Sequence, residues 1–137
     1  MKFAMDLESD ALEFYKTCCE ATQDTKLIGI FEGIISVVEK RMNILERVRR
    51  ENVTEMILEP IKDLESNVFL LEPVAKQNLS DILLIELAVK NEKKRQEFFE
   101  TASEKIDFLI EAADAFERFA EQNQSNLEVF VEYKQTT

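Results

Sequence analysis

Apolar residues recur along most of the chain at spacings of three and four, which is the period of an amphipathic helix. The first stripe runs from Phe3 to Cys18, and the polar residues 22–25 that follow it offer helix caps. The hydroxyl of Ser80 can cap the third helix. The pattern therefore predicts four helices, at residues 3–21, 27–50, 80–102, and from 103 or 107 to 133.

Residues 52–80 interrupt this pattern between the second and third helices. Pro60 and Pro73 fall here, yet the apolar run Val68–Leu71 needs burial, so we interpret the segment as a crossover with one or two short helices. A connection of this length lets the second hairpin run back across the bundle. The sequence predicts an all-α fold with one domain over residues 1–137, in which two helical hairpins joined by a long crossover form a four-helix bundle.

Gly29 and Gly33 are the only glycines, and both fall inside the second predicted helix. Each costs about 1 kcal/mol in a helix interior. A spacing of four residues puts both on one face. We therefore expect a neighbouring helix to approach closely at this face.

Charge and cysteine usage narrow the choice of partners and compartment. The chain carries 28 acidic and 17 basic side chains, a formal charge of −11, which argues against nucleic acid and anionic membrane as partners. Acidic residues interrupt the N-terminal segment, so we do not expect it to act as a signal peptide, and no apolar run is long enough to span a membrane. Cys18 and Cys19 are adjacent and cannot readily pair within a helix, which fits a cytoplasmic location.

The chain contains no histidine. A Ser-His-Asp triad, a Cys-His dyad, a His-ligated zinc and a histidine proton shuttle are therefore excluded, and no catalytic residue is assigned. Phenylalanine is frequent, with ten copies, and five of them cluster in the second hairpin. We expect these five to pack in the core, with an exposed strip for dimerisation as the alternative: Phe98, Phe99, Phe108, Phe116 and Phe119.

Two segments that lie 84 residues apart share a pattern of Ala, then Glu four positions later, then Glu-aromatic-aromatic. Residues 4–15 read AMDLESDALEFY, and residues 88–99 read AVKNEKKRQEFF. Glu8 and Glu92 take the same place in the two segments, near the apolar stripe of each helix. A buried carboxylate is costly unless it is paired, protonated or bound to metal, so both are candidate site residues.

The segment AMDLESDALEFY, followed by FEGIISVVEKRMNIL, resembles the ferritin-like superfamily, specifically its small rubrerythrin-type di-iron carboxylate proteins. In that family the first and third helices each supply one Glu. The second and fourth each supply a Glu-x-x-His, and these side chains hold two irons in the bundle core. The resemblance covers roughly residues 1–50 and 80–127, and it implies a ferritin-like bundle.

The resemblance implies a set of metal-ligating carboxylates in this chain. Glu8 and Glu92 match the single-Glu positions. Glu39 matches the Glu of the second helix, and the family's His falls on Met42. Glu8 and Glu39 have their midpoint at residues 23–24, the predicted turn, so the hairpin brings both to one level.

The fourth helix offers two matches for the remaining carboxylate. Glu117 is favoured by the phase of its apolar stripe, whereas Glu121 keeps a hairpin length closer to that of the first hairpin. With Glu117, the second hairpin would be about one turn shorter than the first. The family's His falls on Ala120 or Gln124, so it is missing with either choice.

The loss of both histidines changes the chemistry that the resemblance implies. Glu8, Glu39, Glu92 and Glu117 alone would make a hard, oxygen-only metal site, which suits Mn²⁺, Mg²⁺ or Ca²⁺ as well as iron. Arg95 lies three residues after Glu92, within ion-pair reach on one helix face. It could offset a carboxylate that a metal offsets in the family.

Three functions remain open at this point. The leading hypothesis is a degenerate ferritin-like bundle, kept as a non-catalytic structural or interaction module without a redox metal. The alternative is a carboxylate-only di-metal protein, binding iron or manganese, with an oxidoreductase or metal-storage role. The third is an unrelated helical adaptor whose glutamates form a solvated face. A homodimer is the expected assembly, and any further protein partner is unidentified.

Overall fold

The structure, a computed structural model, describes residues 2–51, 70–73 and 80–136. Within these residues there is no strand, and no helix is long and apolar enough to cross a membrane. The all-α prediction is confirmed, and the crossover residues 52–69 and 74–79, with their expected short helices, lie outside the described residues. The helices are α1 (Lys2–Ala21), α2 (Thr25–Glu51), α3 (Asp81–Lys105) and α4 (Ile110–Thr136).

Local side-chain chemistry explains where the helices begin. The Asp24 carboxylate accepts a hydrogen bond of 2.9 Å from the Lys26 amide at the start of α2. The Ser80 hydroxyl accepts one of 3.3 Å from the Leu83 amide, which confirms the predicted cap of α3. In both cases a side-chain oxygen satisfies a backbone donor that has no partner inside its own helix.

Two clusters of buried apolar residues, one at each end of the bundle, show in which direction each helix runs. One cluster joins the start of α1, the end of α2 and the α3–α4 turn, through residues such as Ala4, Val48 and Ile106. The other joins the α1–α2 turn region to the start of α3, through residues such as Leu27 and Leu84. Residue 51 and residue 81 therefore lie at opposite ends of the bundle, as the predicted long crossover between two hairpins requires. The helices pack as the pairs α1–α2, α3–α4, α2–α4 and α1–α3.

One described piece of the crossover is held against α3 by the Asn91 amide and by Lys94, whose Nζ donates to the Leu70 carbonyl at 2.8 Å. The Glu72 backbone N–H donates to Asn91 Oδ1 at 2.7 Å, and Asn91 Nδ2 donates to the Glu72 carbonyl at 3.0 Å. Leu71 packs against both apolar clusters. Asn91 is buried, and its side-chain amide satisfies both backbone groups of Glu72, as a neighbouring strand would.

The phenylalanines of the second hairpin fill the core, as predicted, with one exception. Phe98, Phe99, Phe116 and Phe119 are buried, and the Phe99 ring meets the Phe116 and Phe119 rings edge-on, each with a centroid distance of 5.2 Å. Phe108, in the α3–α4 turn, is 57% exposed. Four of the five thus form an aromatic core between α3 and α4.

Among the residues that the structure describes, nothing makes the predicted close approach to the two glycines of α2. Gly29 and Gly33 lie at exposed positions, and a Cβ built on either would meet no described atom within 4 Å. Both glycines do share one face of α2, as expected, but that face points away from the other described helices. No close helix approach within the described chain explains them.

Candidate functional site: a buried glutamate–arginine network

The structure separates the four predicted carboxylates into two groups. Glu8 of α1 and Glu92 of α3 are completely buried at the middle of the bundle. Glu39 of α2 and Glu117 of α4 lie at exposed positions, as does the alternative Glu121. The two repeat-related glutamates therefore come together, whereas the two taken from α2 and α4 do not join them.

Arg95 of α3 connects the two buried carboxylates. Its Nε donates to Glu8 Oε2 at 2.8 Å and its Nη2 donates to Glu8 Oε1 at 3.0 Å, so the contact is bidentate. Its Nη1 donates to Glu92 Oε1 at 2.5 Å. The ion pair between Arg95 and a carboxylate was predicted for Glu92, and the contact with Glu8 extends it across to α1.

Arg41 of α2 is a second buried guanidinium. Its Nη1 donates to Glu8 Oε1 at 2.7 Å and to Asn123 Oδ1 at 3.1 Å. Its Nε donates to Gln122 Oε1 at 2.9 Å, and its Nη2 donates to the Phe119 carbonyl. The guanidinium carbon also lies 4.9 Å from the centroid of the Phe119 ring. Arg41 thus joins α2 to both α1 and α4.

Neutral donors also bind both oxygens of the Glu92 carboxylate. The Tyr15 hydroxyl of α1 donates to Oε1. The Asn123 side-chain amide of α4 donates to Oε2 at 2.5 Å, and the Asn126 amide donates to the same oxygen at 3.3 Å. All four oxygens of Glu8 and Glu92 therefore accept at least one hydrogen bond.

The network balances its charge internally. Its two carboxylates, Glu8 and Glu92, face two guanidinium groups, Arg41 and Arg95, and all four side chains are at most 1% exposed. In the described residues, no buried side-chain nitrogen or oxygen lacks a hydrogen-bond partner. The attraction within a buried ion pair offsets the cost of desolvation only when the remaining polar atoms are also hydrogen-bonded, as they are here. Removal of one partner would leave an uncompensated buried charge. We call these four residues the Glu–Arg network.

The electrostatic environment keeps both guanidinium groups charged. Burial lowers the pKa of Arg95, but the Glu8 and Glu92 carboxylates outweigh burial and raise the pKa above its ordinary value. Burial lowers the pKa of Arg41 against the attraction of Glu8, yet an arginine stays protonated at neutral pH. Burial and the nearby Glu92 carboxylate raise the pKa of Tyr15 well above its ordinary value, so Tyr15 remains a neutral donor.

Helix register explains why Arg41, and not Glu39, faces the centre. In α2 the buried positions at this level are Val38 and Arg41, three residues apart on one face. Glu39 lies one position off that face. The buried i, i+3 pair of α2 at this level is therefore Val38 and Arg41, whereas Glu39 is exposed and Met42 is only partly buried.

A matching register holds in α4, where the inward-facing positions are Asn123 and Asn126. Glu92 and Asn123 lie 31 positions apart, close to the 33 positions between Glu8 and Arg41. The two hairpins are therefore of similar length. The expectation of a second hairpin about one turn shorter, which followed from the choice of Glu117, is wrong. The reason is that α3 continues to Lys105, and the buried Ile106 holds the turn that follows.

The donor set does not fit a pair of metal ions. A metal at Glu8 or Glu92 would have to displace guanidinium hydrogen bonds from oxygens that are already satisfied, and it would add positive charge to a neutral cluster. Across residues 2–51, 70–73 and 80–136, no group of three or more Asp, Glu or Cys side chains is placed to hold a metal ion. The arginines occupy the coordination space of the carboxylates.

The fold and the site together define a class: a four-helix bundle whose two hairpins are held together by a buried, charge-neutral network of glutamates and arginines. Comparison of the chain with family models, with curated proteins and with solved structures finds no match.

Proposed function

We propose that this protein is a degenerate member of the ferritin-like superfamily, of the small rubrerythrin type, that serves as a non-catalytic structural or interaction module. Two features support the proposal. The end of α2 and the start of α3 lie at opposite ends of the bundle, which suits the long crossover of a ferritin-like topology. The repeat-related glutamates, Glu8 and Glu92, lie together in the bundle core, which is where that family binds metal.

One observation carries the non-catalytic part of the proposal. Arg41 and Arg95 occupy the space between carboxylates that a di-metal centre needs, and they satisfy the charge of both glutamates. The centre then contributes to the docking of one hairpin on the other. Its contacts run from α1 to α3 through Glu8–Arg95, and from α2 to α4 through Arg41–Asn123.

The competing function is a carboxylate-only di-metal protein with bound iron or manganese. It requires Glu39 and a carboxylate of α4 to reach Glu8 and Glu92. The exposed positions of Glu39, Glu117 and Glu121 disfavour it.

The test is metal content. Protein purified without chelator is incubated anaerobically with Fe²⁺ or Mn²⁺, desalted, and measured by inductively coupled plasma mass spectrometry. We expect well below one ion per chain, with no difference between the wild type and Glu39→Gln. About two ions per chain, as a di-metal centre holds, lost in Glu8→Ala but retained in a surface control such as Glu128→Ala, would overturn the proposal.

The expected homodimer is part of the same proposal. Several large apolar side chains stay exposed on the described monomer, among them Ile82, Phe108 and Ile110. Sedimentation velocity over a hundredfold range of concentration tests it. A single species at the monomer mass of 15.9 kDa throughout that range would contradict the dimer.

A further inference from the structure

The guanidinium of Arg95 lies in a slot between two carboxylates, which we call the guanidinium slot and define by Glu8 on α1 and Glu92 on α3. Three nitrogens of Arg95 face three carboxylate oxygens, at 2.8, 3.0 and 2.5 Å. Two guanidinium nitrogens, Nε and Nη2, meet the Glu8 carboxylate, and Nη2 lies within reach of both of its oxygens, at 2.7 Å from Oε2 and 3.0 Å from Oε1. The shape of the slot therefore matches a flat cation with several N–H groups.

We propose that the guanidinium slot is a binding site for monovalent, guanidinium-type cations, with Arg95 as its resident cation, and that it does not accept divalent metals. The proposal deepens the proposed function and rests on it, because both require that the bundle core holds no metal. It assigns a ligand class to the site that opens when the Arg95 side chain is removed: N-alkylguanidinium ions.

Charge favours a monovalent cation in the slot. Without Arg95, the buried charges are Glu8 and Glu92 against Arg41, which leaves one negative charge in the buried centre of the bundle. A monocation restores neutrality, whereas a divalent ion leaves an excess positive charge that burial disfavours.

Coordination also disfavours a divalent ion. Mn²⁺ and Mg²⁺ prefer oxygen ligands in an approximately octahedral arrangement. One oxygen of Glu92 already accepts from the Asn123 and Asn126 amides, and Glu8 Oε1 accepts from Arg41. Too few free oxygen lone pairs remain on the walls of the slot, while the directions that a guanidinium uses stay open.

Chemical rescue tests the proposal. Arg95→Ala removes the side chain beyond Cβ, so N-ethylguanidinium supplies the missing atoms. We expect millimolar N-ethylguanidinium, far below denaturing concentrations, to raise the Tm of Arg95→Ala by about 5 °C or more, in a saturable way. The matched control is Arg49→Ala, whose arginine is 61% exposed and should show no rise.

Three outcomes distinguish failure of the slot, failure of its selectivity and failure of the proposed function. No rise in Tm with N-ethylguanidinium overturns the slot. A larger rise with Mn²⁺ or Mg²⁺ than with N-ethylguanidinium overturns its selectivity but leaves the proposed function intact, provided that the wild type binds no metal. Metal bound by the wild type overturns the proposed function first.

A second variant covers the case in which Arg95→Ala does not fold. Arg95→Lys keeps a positive charge but cannot contact Glu8 with two nitrogens and Glu92 with a third. We expect its Tm to lie at least about 5 °C below that of the wild type. A Tm equal to that of the wild type would show that charge alone suffices, and it would overturn the proposed recognition of a flat cation.

Discussion

Glu8 accepts hydrogen bonds from both arginines of the Glu–Arg network, so we expect it to be the most sensitive single residue of the core. Its oxygens accept from Arg41 and from Arg95, and none of its surface reaches solvent. We expect Glu8→Gln to lower the free energy of unfolding by about 3–5 kcal/mol, because two buried guanidinium groups would share one carboxylate. Urea unfolding followed by circular dichroism measures the change.

The matched control for that substitution is Glu39→Gln, at an exposed position of α2. We expect its effect to stay within about 0.5 kcal/mol, as for other surface substitutions. Equal losses for both variants would mean that Glu39 also contributes to a buried site, contrary to the register seen in α2.

Tyr15 gives the protein a pH dependence on the alkaline side. In the unfolded chain Tyr15 loses its proton near pH 10, whereas in the folded protein its pKa lies well above that value. Above about pH 10 the unfolded state therefore binds fewer protons than the folded state, and stability falls as pH rises. The hydrogen bond with Asp24 raises the pKa of Tyr133 to about 12, which adds to the same loss.

Tyr15→Phe separates the two tyrosines. The variant should lose about 1–3 kcal/mol near pH 7, because Glu92 gives up one hydrogen bond. It should also lose less stability than the wild type between about pH 10 and 12. Urea unfolding at a series of pH values checks both parts, and an unchanged alkaline slope would contradict the role of Tyr15.

At the scale of the helix, the two glycines of α2 are a cost that the described fold does not require. A Cβ at Gly29 or Gly33 would meet nothing within 4 Å. We expect Gly29→Ala and Gly33→Ala each to raise the free energy of unfolding by about 0.5–1 kcal/mol, because alanine loses less conformational entropy in a helix. Thermal and urea unfolding of the single and double variants measure this, and a loss of stability would indicate that something else packs on this face.

The four helices were predictable because each one has a broad apolar stripe with polar residues between its members. The side chains that α2 and α4 place at the centre of the bundle were harder to predict. A glutamate match on α2 selected Glu39, but the stripe through Leu27, Phe31, Ile34 and Val38 leads to Arg41. Polar residues at the stripe positions, Arg41 and Asn123, were the signal that could have identified the network.

Over the whole molecule, the charge of −11 lies outside the network, because the four network residues sum to zero. We expect salt to raise the Tm of the wild type by a few degrees between about 10 and 300 mM NaCl, because it screens repulsion among surface carboxylates but hardly reaches buried pairs. The exposed pairs are weak, as in Arg49–Glu46 at 3.9 Å. A Tm that falls with salt would mean that surface ion pairs, rather than the core, hold the bundle.

The sequence by itself determined the helices, the hairpins, the long crossover and the burial of Glu8 and Glu92, because these follow from local periodicity and from an internal repeat. Only the tertiary structure decided what meets those carboxylates. The rotation of α2 and α4 about their axes, set by the packing of whole apolar stripes, turned Arg41 and Asn123 inward and Glu39 and Glu117 outward. A shift of one residue turns a helix position by about 100°, so residue spacing alone could not identify which charge faces the core.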